Sequence, residues 1–212
     1  MRRIGFAVGT LVAGTALVVV AGVPSVYTTG DAAVAIPDNS MGVITACQTI
    51  NVPDSGTIGD VNVEVTSAHS WVGDVTFELT SPAATTVTIM NRPARTGTGA
   101  GNSDDLQDAT PIQFNEGSIS GLTAEEIGNA PCGGLIDGSA DCPDNYSSAP
   151  DAADTPIAGQ GTSLADFNGE DFNGTWTLCA ADSAGGDTGT LTSWSISFDG
   201  GVPVELQSIS VE

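Results

Sequence analysis

The chain has 212 residues, with 26 acidic side chains against 4 basic ones, all arginine, and a formal net charge of −22. Such a surface repels phosphate backbones and anionic headgroups, which excludes nucleic acid as a partner. One histidine and four cysteines without a Cys-x-x-Cys pair also leave no ligand set for a zinc or copper enzyme.

Met1-Arg2-Arg3 opens a run of uncharged, mostly apolar or small residues over 4–23. A positive start followed by an apolar run has the layout of a secretory signal, and the run is also just long enough for an uncleaved membrane anchor. Both readings place the rest of the chain outside the cytoplasm, as a secreted protein or an anchored ectodomain. The small-x-small triplet Ala33-Val34-Ala35 is the best cleavage candidate and predicts a mature chain from Ile36, although Ala21-Gly22 lies closer to the end of the apolar run. Removing residues 1–35 leaves Arg92 and Arg95 as the only basic side chains and a single domain over 36–200.

Cys47, Cys132, Cys142 and Cys179 form an even set in a chain bound for an oxidising compartment, so they read as disulfides. Three pairings are open. Cys132 and Cys142 flank a short polar loop, which favours joining them to each other and Cys47 to Cys179.

From Cys47 onward, short apolar runs alternate with Gly, Asn, Asp, Ser and Pro. Ile50 and Val52 end a first run, Val61, Val63 and Val65 alternate in a second, Val75, Phe77 and Leu79 in a third, Val87 and Ile89 in a fourth. Each has the two-residue period of a half-buried strand. Ser81-Pro82 closes the third run, since proline cannot continue a ladder. Later runs are Ile112 to Phe114, then Trp176, Leu178 and Ala180, then Trp194, Ile196 and Phe198. At least seven strands and no long helix predict an all-β, jelly-roll-like antiparallel sandwich. The stretch 117–161, rich in Gly, Ala, Ser, Asp and Pro, reads as a loop insertion over one end, in which Thr123-Ala124-Glu125-Glu126 opens one helical turn. Residues 201–212 read as a tail or the start of a further segment.

Two segments carry a family pattern. The first runs His69-Ser70-Trp71-Val72-Gly73-Asp74-Val75-Thr76-Phe77-Glu78-Leu79-Thr80-Ser81-Pro82 and on through Thr85 to Arg92; the second runs Phe167-Asn168-Gly169-Glu170-Asp171-Phe172-Asn173-Gly174-Thr175-Trp176-Thr177-Leu178 and on through Asp182, Gly186, Asp187, Gly189 and Trp194. Together they resemble the P domain, or P/Homo B domain, of proprotein convertases and secreted bacterial proteases, with Asn102-Ser103-Asp104-Asp105-Leu106 similar to its acidic segment. Ile112-Gln113-Phe114 departs from that acidic pattern, as does the cysteine-bearing insertion. The resemblance implies a jelly-roll sandwich that accompanies a subtilisin-like serine protease domain and stabilises it. The Asn-Gly and Asp-x-Gly pairs supply positive φ between strands, Trp176 and Trp194 point into a core, and Gly73 and Gly189 read as requirements of tight turns.

Asp54-Ser55-Gly56, His69 and Gly161-Thr162-Ser163 stand in the chain order of subtilisin-like catalytic residues, but order is not geometry, and His69 sits inside the P-domain motif. No α/β pattern is present to hold such a serine, so the expectation is a non-enzymatic module. Asp74, Asp104, Asp105, Asp108, Asp171, Asp182 and Asp187 fall on turns and strand ends, where hard oxygen donors from adjacent loops suit calcium. The expected partner is a subtilisin-like protease domain on another chain, or another extracellular protein. A carbohydrate-binding or adhesion module is the alternative, because fold alone does not separate the two.

Overall fold

The computed structural model describes residues 26–40, 43–95, 99–116, 122–127, 134–136, 145–146, 149–150 and 163–199. The run 4–23, Cys132, Cys142 and residues 201–212 lie outside them, and among the described residues no helix is long and apolar enough to cross a membrane. In chain order the strands are β1 (Val26–Thr28), β2 (Val34–Ile36), β3 (Ala46–Val52), β4 (Asp60–His69), β5 (Val75–Thr80), β6 (Thr86–Asn91), β7 (Ile112–Phe114), β8 (Asn145–Tyr146), β9 (Ala149–Pro150), β10 (Gly174–Asp182) and β11 (Gly189–Asp199). One sheet runs β1-β11-β4-β7-β8 with β2 also on β11; the other runs β3-β10-β5-β6-β9. Taking β1 and β2 as one interrupted strand, this is the eight-stranded, two-sheet order of a jelly roll, with one short parallel strand added to each sheet.

Alternation decides which face of each strand is inside. Val61, Val63 and Val65 of β4 are buried, and Glu64 between them is exposed. On the facing sheet, Ile50, Val52, Trp176 and Leu178 are buried in the same rhythm. The layers interlock through rings: Trp176 lies 5.3 Å from Phe198, Phe172 stacks on Phe198 at 4.9 Å, and Phe77 meets Phe114 edge-on at 6.5 Å. Such pairs add about 0.5–1.5 kcal/mol each beyond the area they bury. Ser81-Pro82 ends β5 as expected: Ser81 N–H donates to Thr85 O and Ala84 takes a φ of 66° in the hairpin. Positive φ values at Gly169 and Gly174 serve the Asn-Gly turns.

The stretch 117–161 is more than a loop where it is described. A capping box, with the Thr123 N–H donating to Glu126 Oε2 at 2.9 Å, turns the chain through the 3₁₀ turn Ala124–Glu126 and carries Ile127 into the core. Ile136 and Tyr146 are buried too, β8 extends one sheet beside β7, and β9 extends the other beside β6. These additions cover edges that would otherwise expose unpaired backbone groups. Two-residue strands leave no periodic trace, which is why composition alone suggested a loop.

Candidate functional site

Two places combine polar side chains in a way that chemistry needs. The first is a buried cluster at one end of the sandwich, where β4, β5, β6 and β10 begin or end. His69 closes β4, Asp74 precedes β5, Arg92 follows β6 and Asp182 closes β10; all four are buried. His69 Nε2 lies 3.3 Å from Asp182 Oδ2, and neither side chain reaches solvent. The other ring nitrogen, Nδ1, sits 2.9 Å from the Trp71 carbonyl and 3.1 Å from the Trp71 amide. Asp182 Oδ1 accepts from the Ala184 N–H at 2.9 Å. Arg92 donates to the Gly73 carbonyl from Nε at 3.2 Å and to Asp74 Oδ1 from Nη2 at 3.3 Å.

The acidic segment lies across this end. Val72 N–H donates to Asp104 O, Gly73 N–H to Asn102 O, and His69 exchanges backbone bonds with Leu106. Gly73 lies in the 3₁₀ turn Val72–Asp74 as expected, whereas Gly189 opens β11 and not a turn; neither has a positive φ, and what both supply is room. A Cβ at Gly73 would fall 2.4 Å from Asn102 N, and one at Gly189 would fall 2.2 Å from Cδ2 of the His69 ring. The motif residues thus build a buried knot of close-packed backbone and paired side chains.

The second place is a cleft of about 270 Å³ on the outer face of the β1-β11-β4-β7 sheet, lined among others by Asn62, Glu64, Gln113, Asn115, Ser195 and Ser197. It holds one carboxylate and no histidine. Neither a nucleophile with its base nor a pair of carboxyls is assembled there.

The residues in protease order do not meet. Asp54 Oδ2 accepts from the Tyr27 hydroxyl at 2.6 Å, His69 is enclosed as described, and Ser163 Oγ accepts from the Ala165 N–H at 3.1 Å as the cap of the 3₁₀ turn Leu164–Phe167. Of the seven aspartates expected to hold calcium, Asp74, Asp182 and Asp187 come together at the His69 end, the latter two helping to raise the Asp74 carboxyl, and Asp104 lies beside Asp105. Asp74 faces Arg92 and Asp182 faces His69; Asp187 accepts from Ser70 Oγ, Asp108 from Thr192 Oγ1, and Asp171 from the Gly56 and Asn173 amides at the far end of β10. Asp104 and Asp105 lie on the acidic segment, where Asp105 makes backbone bonds with Gly134 and Ile136. Calcium wants six to eight oxygens around one point. Among the described residues no three His, Cys, Asp or Glu side chains form a group that could hold a metal ion.

Burial raises the Asp74 carboxyl above its ordinary value of 3.8 against the opposing pull of Arg92; burial also raises Asp60 and Asp104, helped by Asp199 and Glu116 near the first and Asp105 near the second. Asp171 moves the other way, lowered by the Asn173 and Gly56 amides. A carboxyl with a raised folded value contributes stability that is full below its unfolded value and is lost as pH rises through the folded one. The Asp171 contribution is present above 3.8 and is lost only as pH falls through its lowered folded value. Mild acidification from pH 7 towards about 4.5 is therefore expected to raise the melting temperature at constant ionic strength, and relief of repulsion at a net charge of −22 acts in the same direction. Asp60→Asn should flatten the rise; a melting temperature that falls steadily over this window would contradict the assignment.

A family model described as the proprotein convertase P-domain matches residues 58–115 and 147–198, which include His69, Asp74, Arg92 and Asp182. The chain belongs to the P-domain family. Two similar solved structures are the serine protease of Aeromonas sobria in complex with its chaperone, at 18% identity and a TM-score of 0.44, and the serine protease of Aeromonas sobria, at 17% identity and 0.43. Each alignment covers 84% of this chain but only 27% and 28% of those, so the P domain described here spans about a quarter of their length. No curated protein matches the chain. Sequence reasoning named three members of the P-domain knot but paired none of them, and did not single out Arg92 as a neutralising partner. The available signal was arithmetic: in a chain without lysine, a buried carboxylate beside β5 has few cations to turn to.

Proposed function

We propose that this P domain is a non-catalytic accessory module that stabilises or presents a subtilisin-like serine protease domain carried on another chain or another segment. The observation that carries this reading is the dispersal of Asp54, His69 and Ser163, each held by a different local partner, with the His69 side chain closed to solvent. A base that no substrate can reach cannot deprotonate a nucleophile.

The purified protein is expected to cleave no peptide substrate and to take no label from a serine-directed phosphonate. Labelling at Ser163 that disappears in Asp54→Asn would overturn the reading. Addition of the P domain to the cognate protease domain should raise that enzyme's melting temperature and leave its kcat unchanged. A second reading, carbohydrate binding, draws on the outer-face cleft, whose amides, hydroxyls and single carboxylate match the hydrogen-bonding groups of a neutral sugar. Saturable binding on a glycan array, lost in Asn62→Ala, would favour it over the accessory role.

A further inference from the structure

The chain ahead of the matched P-domain segment holds a strand that the export reading would discard. β1 pairs Val26, Tyr27 and Thr28 with Ser197, Ile196 and Ser195, and β2 pairs Val34, Ala35 and Ile36 with Leu191, Thr190 and Gly189. Between them the Thr29 N–H donates to Trp194 O at 3.0 Å. The interruption has a cause in β11, whose register shifts between Leu191 and Ser193 and leaves Thr192 over. Where the pairing breaks, the buried Gln48 amide steps in: its Nε2 lies 3.0 Å from Ala32 O and 3.1 Å from Thr192 O.

The same residues seal the edge of the other sheet. Asp31 Oδ2 accepts from the Thr49 N–H at 2.6 Å and from the Thr49 hydroxyl at 3.1 Å, while the Thr29 hydroxyl donates to Thr49 O at 3.0 Å. β3 is an edge strand, and both backbone groups of Thr49 would otherwise be open. Tyr27 packs its ring on Phe198 at 6.2 Å, and Ile36 is buried in the core.

We infer that residues 26–36 form the interrupted first strand of the jelly roll, a strap that closes the edges of both sheets, and that export processing removes nothing beyond residue 25. The Ala33-Val34-Ala35 triplet is then part of β2 and not the cleavage site used. A product starting at Ile36 would bare β11 along Thr190–Ser197, strip both Thr49 backbone groups of their partners and take Ala32 O from Gln48. Open edges of that length recruit other chains. The processing half of this inference rests on the export reading; the strap does not.

Expression of the full chain in an exporting host, with intact-mass measurement and amino-terminal sequencing, tests the first half. The amino terminus is expected at or before Val26; a monodisperse product beginning at Ile36 would overturn the inference. Amide hydrogen exchange on the same material tests the second. Thr29 and Thr49 are expected to exchange far more slowly than an exposed loop, and Asp31→Ala should speed Thr49 by about tenfold, the equivalent of one lost hydrogen bond to a charged group. Asp31→Asn, which keeps a carbonyl acceptor, should restore most of the protection. Thr49 exchange at loop rates in the unaltered protein would sink the strap. A full-length, unprocessed product with slow Thr29 and Thr49 would uphold the strap and replace the cleaved signal by the uncleaved anchor.

Discussion

His69→Ala is expected to lower the unfolding free energy by roughly 3–5 kcal/mol, the cost typical of removing one partner from a buried pair. Asp182 has no solvent exposure and, among the described residues, would keep only the Ala184 N–H as a donor to its side chain. Water would have to enter, or the carboxyl would have to take up a proton. The missing ring also leaves a void against Gly189, whose Cα was brought close enough that a Cβ would fall 2.2 Å from the imidazole. That geometry gives the prediction an internal control. Gly189→Ala alone should be destabilising by about 1–3 kcal/mol through overpacking, whereas in the His69→Ala background the clash with the ring is gone and only that with the Ala68 carbonyl oxygen, 2.7 Å from the same methyl group, remains, so the substitution should cost less. Urea denaturation of the four proteins closes the cycle, and coupling of about 1 kcal/mol or more between the two sites is expected. Strict additivity, or a loss below about 1 kcal/mol in His69→Ala, would mean that the pair contributes little to the fold.

Legibility of the fold in the sequence followed strand length and burial. Val61, Val63 and Val65, or Trp176, Leu178 and Ala180, alternate over long strands with one wet face, and the period of two survives. β5 is buried from Val75 to Leu79 on both faces and still reads as a strand, because Val75, Phe77 and Leu79 alternate with Thr76 and Glu78 and Ser81-Pro82 marks its end. β1 and β2 were absorbed into the export segment for a physical reason. Three-residue strands carry no period, Val26 is 65% exposed, and the small residues that suit a signal cleavage site also suit a strand lying flat beside β11.

The site was less legible than the fold. Asp54, His69 and Ser163 share a chain order with a protease, yet that pattern is one-dimensional. The sheets bring together residues far apart in sequence: Asp182 reaches His69 because β10 and β4 end at the same end of the sandwich, in different sheets. Nothing local to either residue announces the other. The P-domain motif was the one usable pointer, and its meaning turned out to be packing: Gly73 admits the acidic segment, Gly189 admits the imidazole, and Arg92 answers Asp74.

Removing the Cys47–Cys179 bond is expected to lower stability by about 2–5 kcal/mol. The two cysteines face each other across β3 and β10 in a seven-residue antiparallel register, and they are 132 residues apart in the chain. In the chain-entropy account, closing a loop of that length restricts the unfolded state by about 5 kcal/mol at 25 °C. Residual order in the unfolded chain and any strain in the native bond reduce that figure. The link has a second consequence, because β3 precedes the matched P-domain segment while β10 lies within it. Without the bond, β3 is held to the sandwich by its ladder with β10, by the strap on its outer side and by its buried residues. A Cys47→Ala/Cys179→Ala protein should therefore melt about 10 °C lower, with exchange rising first at Ala46–Val52 and at the strap. The double substitution confines the change to this one bond. Peptide mapping of the unaltered protein under non-reducing conditions should recover Cys47 joined to Cys179. A melting temperature unchanged by the double substitution would show that the ladder alone holds β3, and the bond would then be dispensable to the fold.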